Sequence, residues 1–180
     1  TYKDAPMEPD AFVRKYMIER YGSENERLYE ALKKVFYNIF NTEKNVSDGE
    51  SGLCARPALD VRHTSMWSRY ANPYDKQEDM IFYIKTMLDN YDELKRYDGF
   101  RLDLLEAARQ SVNNLSWYMI ENIKKSYKNK DLSALSHWGN ELLGLFDLQS
   151  TLLKTNKNYM LGTWLEKAKR LGRTPAEKTY

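Results

Sequence analysis

Between Phe100 and Lys128 the residues Leu105, Ala108, Val112, Leu115, Met119, Ile123 and Tyr127 recur at steps of three and four, with no glycine or proline among them. Only a helical backbone returns side chains to one face with that period. The spacing therefore predicts a helix over about 100–128, roughly 43 Å long at 1.5 Å per residue. Leu102, Leu104 and Trp117 widen its apolar face, and a stripe that wide must meet more than one neighbouring helix. A helix of this length in a chain of 180 residues leaves room for little besides other helices packed along it.

The rest of the chain repeats the same signals. Prolines at 6 and 9 give residues 1–9 the character of an extended strap. Asp10 is placed to cap a first helix over about 11–21, with Phe12, Val13, Tyr16, Met17 and Tyr21 at helical spacing and Gly22 as its stop. Ser23 followed by Glu26 predicts a capping box and a second helix over about 24–40. Asp75 followed by Glu78 predicts the start of a third, ending near Asn90, with a one-turn or irregular piece to Gly99. After a short break at Asn129–Asp131, with Asp131 as cap, a fifth periodic segment runs over about 132–155. It contains Gly139 and Gly144, which suggest a close helix crossing because each costs up to about 1 kcal/mol against alanine inside a helix. The two long helices and their tight turn predict an antiparallel hairpin. A last helix is expected over about 158–171, stopped by Gly172. Strand signals are poor throughout. The expected fold is all-α: a mostly up-and-down bundle of about five to six helices in a single domain, with one long irregular loop over about 41–74.

The apolar fraction of 42% and the charged fraction of 30% suit helices with solvated outer faces. A net charge of +2 gives no electrostatic footprint for nucleic acid. No apolar run approaches a membrane span, and no signal peptide opens the sequence. One cysteine forms no internal disulfide. The abundance of lysine, asparagine and tyrosine is compatible with a low-GC bacterial source. The sequence opens on Thr1, and Thr174-Pro175-Ala176-Glu177 is a strong helix start with only three residues after it. Both features predict a fragment of a larger multidomain protein, truncated at its C-terminal end.

The segment Gly49–Trp67 is the candidate functional region. Glycines and a proline keep it from reading as helix, yet it holds the only cysteine, His63 and Trp67. Long loops inside compact domains are mostly functional or disordered, and this one is rich in apolar and aromatic residues. No complete active site is visible in it. Cys54, His63 and His137 lack the spacing of a metal site, so neither a metal nor another cofactor is expected. Gly49-Glu50-Ser51-Gly52 lacks the spacing and preceding strand of a nucleophile elbow and reads as a turn. Cys54 has no context that would lower its pKa and is expected to be a buried apolar thiol. Glu50, Asp60, Asp92 and Glu93 are expected to be solvated acids or caps. Trp117, Trp138 and Trp164 sit on apolar helix faces and are expected in the core. Trp67 is open between core packing and stacking on a ligand.

Four stretches share an order and spacing: Arg20-Tyr21-Gly22 with Val35-Phe36-Tyr37-Asn38; Arg56-Pro57-Ala58-Leu59 with Thr64-Ser65-Met66-Trp67; Phe100-Arg101-Leu102-Asp103-Leu104-Leu105 through Ala108-Arg109-Gln110; and Leu161-Gly162-Thr163-Trp164-Leu165-Glu166. Together they resemble the C-terminal helical domain of alpha-N-acetylglucosaminidases, glycoside hydrolase family 89, over nearly the whole chain. The resemblance implies a part of an exo-acting, retaining enzyme that removes terminal alpha-linked N-acetylglucosamine from glycans. Animal members of the family are lysosomal. Bacterial members act on host glycans, which implies a secreted or cell-surface protein here. The family's catalytic glutamates lie in a preceding barrel domain, so no catalytic residue is expected in this chain. The barrel would be the intramolecular partner, and this domain would wall one side of the cleft. Trp67, Glu50 and Arg56 are the substrate-binding residues that the resemblance suggests, with Arg56 alternatively a structural arginine that holds the loop. The rival expectation is a non-catalytic helical module that binds a protein through residues 49–67.

Overall fold

The computed structural model of the protein describes residues 8–40, 52–54, 59 and 77–179. These residues form seven α-helices: α1 (Pro9–Tyr21), α2 (Glu26–Lys34), α3 (Gln77–Asp89), α4 (Tyr91–Leu94), α5 (Asp98–Lys128), α6 (Leu132–Lys154) and α7 (Leu161–Leu171). A π-helical turn (Val35–Phe40) prolongs α2, and short 3-10 turns lie at Gly52–Cys54, Lys157–Tyr159 and Ala176–Lys178. There is no strand among the described residues. α4 is the one-turn piece expected before Gly99.

The ends of the helices follow local chemistry. α1 begins at Pro9, whose missing N–H costs nothing in a first turn. Asp10 is therefore not its cap, as expected from sequence, but a first-turn residue whose carboxylate accepts from Lys33 and Tyr37. Those two hydrogen bonds hold the Asp10 carboxyl below its usual range and tie α1 to α2. The cap of α2 is Asn25, whose side chain accepts from the Leu28 amide; Ser23 instead accepts from the Asn25 amide. Asp131 caps α6 as expected, accepting from Ala134 at 2.9 Å. The turn before it closes through Asp131 N–H to Ser126 O at 2.9 Å, with Lys130 in the left-handed region at φ 57°.

α5 is long enough to serve two packing partners in succession. Its N-terminal half carries Phe100 and Ala107 into a core with Val13, Met17 and Tyr21 of α1, Leu28 and Leu32 of α2, and Met80, Tyr83 and Met87 of α3. Phe100 meets Tyr21 edge-to-face with ring centroids 5.5 Å apart. Full burial of side chains such as Leu28, Met87 and Phe100 contributes about 1.5–3 kcal/mol each. The C-terminal half forms the antiparallel hairpin with α6, around Val112, Met119 and Leu145 with Trp138, Leu142 and Leu152 packed against them.

Two expectations about burial are corrected. On α5 the buried line runs through Leu105, Val112, Ser116, Met119 and Ile120, while Leu115 and Tyr127 face outward. The line is displaced because the Gly52–Cys54 turn lies on this side of the helix. An added Cβ on Gly52 would overlap Ser116 Oγ and Ile120 Cδ1, so glycine is what lets the turn seat there. Gly139 and Gly144, by contrast, have no atom within 4 Å of an added Cβ. No helix among the described residues crosses at them.

Candidate functional site

Three side chains of α1 converge on one carboxylate of α5. Tyr16 Oη donates to Asp103 Oδ2 at 2.6 Å, Tyr21 Oη to the same oxygen at 2.7 Å, and Arg20 donates Nε to Oδ2 at 2.7 Å and Nη2 to Oδ1 at 2.6 Å. Tyr21 and Tyr83 share a further hydroxyl hydrogen bond of 2.7 Å, which carries the network to α3. Helical spacing explains the convergence, because Tyr16 and Arg20 lie four residues apart on one side of α1. Gly22 and Gly99 let the two helix ends close. Gly22 ends α1 at φ 62°, and an added Cβ there would overlap the Tyr97 ring; one on Gly99 would overlap Arg20.

The electrostatics make this a clamp rather than an acid/base centre. Burial above all, with the hydrogen bond to Asp103 next, pushes the Tyr16 phenol far above its ordinary range. Burial does the same to Tyr21 and Tyr83. The hydrogen bonds to Asp103 raise Arg20 further above its already high value. A carboxylate offers about four acceptor positions. Four donors reach Asp103 here, three on Oδ2 and one on Oδ1, so its carboxylate is engaged by groups that fix α1 on α5.

Beside the clamp lies a cavity of about 300 Å³ between α1, α2 with its π turn, α3 and α5. Leu32, Phe36 and Met80 line its apolar side, and Glu106, Arg109 and Gln110 its polar side. Glu106 accepts from Arg109 at 2.8 Å, so the second carboxylate of this wall is also engaged by an arginine. Of the four carboxylates singled out in the sequence, Asp92 and Glu93 are described and both are exposed, as expected, with Asp92 paired to Lys95 at 2.7 Å. No cluster of three or more His, Cys, Asp or Glu that could hold a metal ion occurs among the described residues. No helix among them is long and apolar enough to cross a membrane.

The three substrate-binding expectations, Glu50, Arg56 and Trp67, lie outside the described residues, as do Ser51, Asp60 and His63. What is described between Glu50 and Arg56 is the Gly52–Cys54 turn, with Leu53 packed into the α5–α6 core. Cys54 is exposed, which corrects the expectation of a buried thiol: Leu53 takes the inward position of the turn. Trp117 is buried and Trp138 half-buried, as core residues. Trp164 is not in the core; it is 60% exposed on α7, with Nε1 donating to Asn158 O at 2.6 Å. The role of Asp103 was not anticipated from sequence. The signal was present, since Arg20-Tyr21-Gly22 and Phe100–Asp103 both belong to the stretches singled out above, but nothing in one dimension joins them.

Residues 12–180 match the family described as the Alpha-N-acetylglucosaminidase (NAGLU) C-terminal domain. The chain belongs to this family. The stretches that resemble glycoside hydrolase family 89 are thus accounted for by family membership, and the all-α bundle is the family's fold. Human alpha-N-acetylglucosaminidase is 26% identical over 184 residues, which take in 99% of this chain and 23% of that protein. A family 89 glycoside hydrolase from Clostridium perfringens, solved in complex with PUGNAc, is 25% identical and superposes with a TM-score of 0.86 over 96% of this chain and 20% of its own. A doubly Glu→Gln-substituted form, solved with its substrate GlcNAc-alpha-1,4-galactose, gives a TM-score of 0.87 at 24% identity, again over 96% of this chain and 20% of its own. The chain therefore spans about a fifth to a quarter of the length of the relatives it matches.

Proposed function

We propose that this NAGLU C-terminal domain is the helical part of an exo-acting, retaining alpha-N-acetylglucosaminidase that releases terminal alpha-linked N-acetylglucosamine from glycans. The observation that carries the reading is the full-length agreement in fold, over 96% of the chain, with a glycosidase solved on an alpha-linked N-acetylglucosaminide. In such an enzyme one carboxylate attacks the anomeric carbon while a second protonates the leaving oxygen and then activates water. Both would come from a barrel domain of the same polypeptide. The two carboxylates that line the cavity of this domain, Asp103 and Glu106, are each held by an arginine and serve architecture. The domain would pack on the barrel and wall one side of its cleft. Trp67 would offer a stacking face, Glu50 would accept from sugar hydroxyls, and Arg56 would make a polar contact or hold the loop. The Gly52–Cys54 turn seated on α5 supports this reading, because it is a fixed point that lies between Glu50 and Arg56 in the sequence. Secretion or display at a bacterial cell surface would suit an enzyme that acts on host glycans.

The test is hydrolysis of a nitrophenyl alpha-N-acetylglucosaminide by the longer polypeptide, beside residues 1–180 alone. Turnover by the long chain and none by the short one is expected. Turnover by residues 1–180, or an inert long chain, overturns the reading.

A further inference from the structure

The cavity beside the Asp103 clamp has the make-up of a site rather than of a packing gap. Gaps in a protein interior seldom exceed one water molecule. This one measures about 300 Å³, at the lower end of the range for small-molecule sites. It has a polar edge, where the Arg109 and Glu106 side chains are 31% and 36% exposed. Buried Leu32 and Met80, with half-buried Phe36, give it an apolar wall. Val35 and Phe36 come to it from the π turn, a rare distortion found frequently at functional sites. A further wall is held in place by the clamp, since Tyr16 and Tyr83 are both tied to Asp103, the second through Tyr21. Walls fixed in advance lower the ordering cost of binding.

The hydrogen-bonding groups left uncommitted at the polar edge say what fits. Arg109 spends Nε and Nη2 on Glu106 Oε2, and no described residue takes its Nη1 or donates to Glu106 Oε1. Gln110 spends its amide nitrogen on Asn114 at 2.9 Å, and no described residue donates to its Oε1. One donor beside two acceptors complements a secondary amide, whose C=O accepts from the guanidinium and whose N–H donates to an oxygen of Glu106 or Gln110. Charge is balanced, because Arg20 offsets Asp103 and Arg109 offsets Glu106. An ionic ligand of either sign therefore finds no unmatched counter-charge. We propose that this cavity binds a small neutral molecule carrying a secondary amide between apolar groups. The amide lies at Arg109, Glu106 and Gln110, and the apolar groups lie against Leu32, Phe36 and Met80. A sugar-borne N-acetyl group shares the amide but brings ring hydroxyls, which an apolar wall leaves without partners. The assignment is independent of the glycosidase reading.

Calorimetric titration of the intact polypeptide with acetanilide tests the assignment. Saturable binding at one site is expected, with Tm rising once the acetanilide concentration exceeds Kd. Ala107 is buried and lines the cavity, so Ala107→Leu fills it and should remove the binding. Gln110→Leu keeps the size of the side chain and takes away the acceptor, and should weaken binding about tenfold. It gives the answer by itself where Ala107→Leu does not fold. Propylbenzene, which lacks the amide, should bind about tenfold more weakly than acetanilide, and N-acetylglucosamine should bind more weakly as well. Absence of saturable acetanilide binding overturns the proposal. So does binding that survives in folded Ala107→Leu or at full strength in Gln110→Leu, because the ligand then sits elsewhere. Propylbenzene binding as tightly as acetanilide reduces the cavity to an apolar void, and N-acetylglucosamine binding more tightly assigns it to a sugar; either result overturns the amide assignment. None of these measurements depends on hydrolysis of a glycoside.

Discussion

Arg20 and Asp103 are separated by 83 residues of sequence, and their side chains meet through two hydrogen bonds of 2.6 and 2.7 Å. The two parallel bonds from one guanidinium fix direction as well as distance. They set the C-terminal end of α1 against the start of α5, and with them the floor on which α2 and α3 pack.

Asp103→Asn keeps the shape and removes the charge, leaving Arg20, Tyr16 and Tyr21 facing an amide. Removing one partner of a buried ion pair costs about 3–5 kcal/mol; with Arg20 a third exposed, solvent screening lowers the expected loss to about 2–3 kcal/mol. Denaturant unfolding of the variant measures it. A loss under about 0.5 kcal/mol would reduce the network to surface decoration.

Gly22→Ala and Gly139→Ala are expected to move stability in opposite directions. At Gly22 a Cβ meets both a left-handed backbone and the Tyr97 ring, for a loss of at least about 1–2 kcal/mol. At Gly139 nothing stands within 4 Å, and helix propensity alone should add up to about 1 kcal/mol in the 180-residue chain. Thermal unfolding of the pair decides it, and a destabilised Gly139→Ala would mean that the site is already occupied.

Alkaline pH should unfold the protein with an unusually steep onset. The phenols of Tyr21 and Tyr83 are pushed by burial far above the ordinary 10.0. Above about pH 10 the unfolded chain releases these protons and the folded one retains them, so stability falls as pH rises by about 1.4 kcal/mol per pH unit for each group. Below that pH the contribution is complete and flat. With the Tyr16 phenol raised in the same way, Tyr83→Phe should remove about a third of the slope in pH-dependent unfolding; an unaltered slope would assign the effect to other groups.

In the longer polypeptide, Trp67→Ala should lower kcat/KM on the order of tenfold, the equivalent of about 1.4 kcal/mol, with little change in Tm. Gly52→Ala should also lower it, by unseating the turn from Ser116 and Ile120. Steady-state kinetics on both variants reads the effect. Gross unfolding of Trp67→Ala would place that side chain in the core.

Local chemistry was enough to delimit most of the fold. The three-and-four spacing from Leu105 onward, the Asp131 cap, the Gly22 stop and the tight turn before α6 each act within a few residues, so they are written where they operate. The same locality explains the error at Asp10: Pro9 reads as the end of an extended strap, whereas its fixed φ suits the first turn of α1. Family resemblance extended this to function without adding geometry, and the candidate site residues Glu50, Arg56 and Trp67 remain assigned by that resemblance.

Tertiary structure alone decided which apolar residues are covered. Periodicity marks a face as apolar but does not say that a partner exists, and so Val112 and Met119 are core while Leu161, Trp164 and Leu171, equally periodic, stand in solvent. It alone brought Asp103 to Arg20, because a hydrogen bond between residues 83 apart depends on how every intervening helix packs. And it alone separated Gly52, which a neighbouring helix requires, from Gly139, which nothing touches.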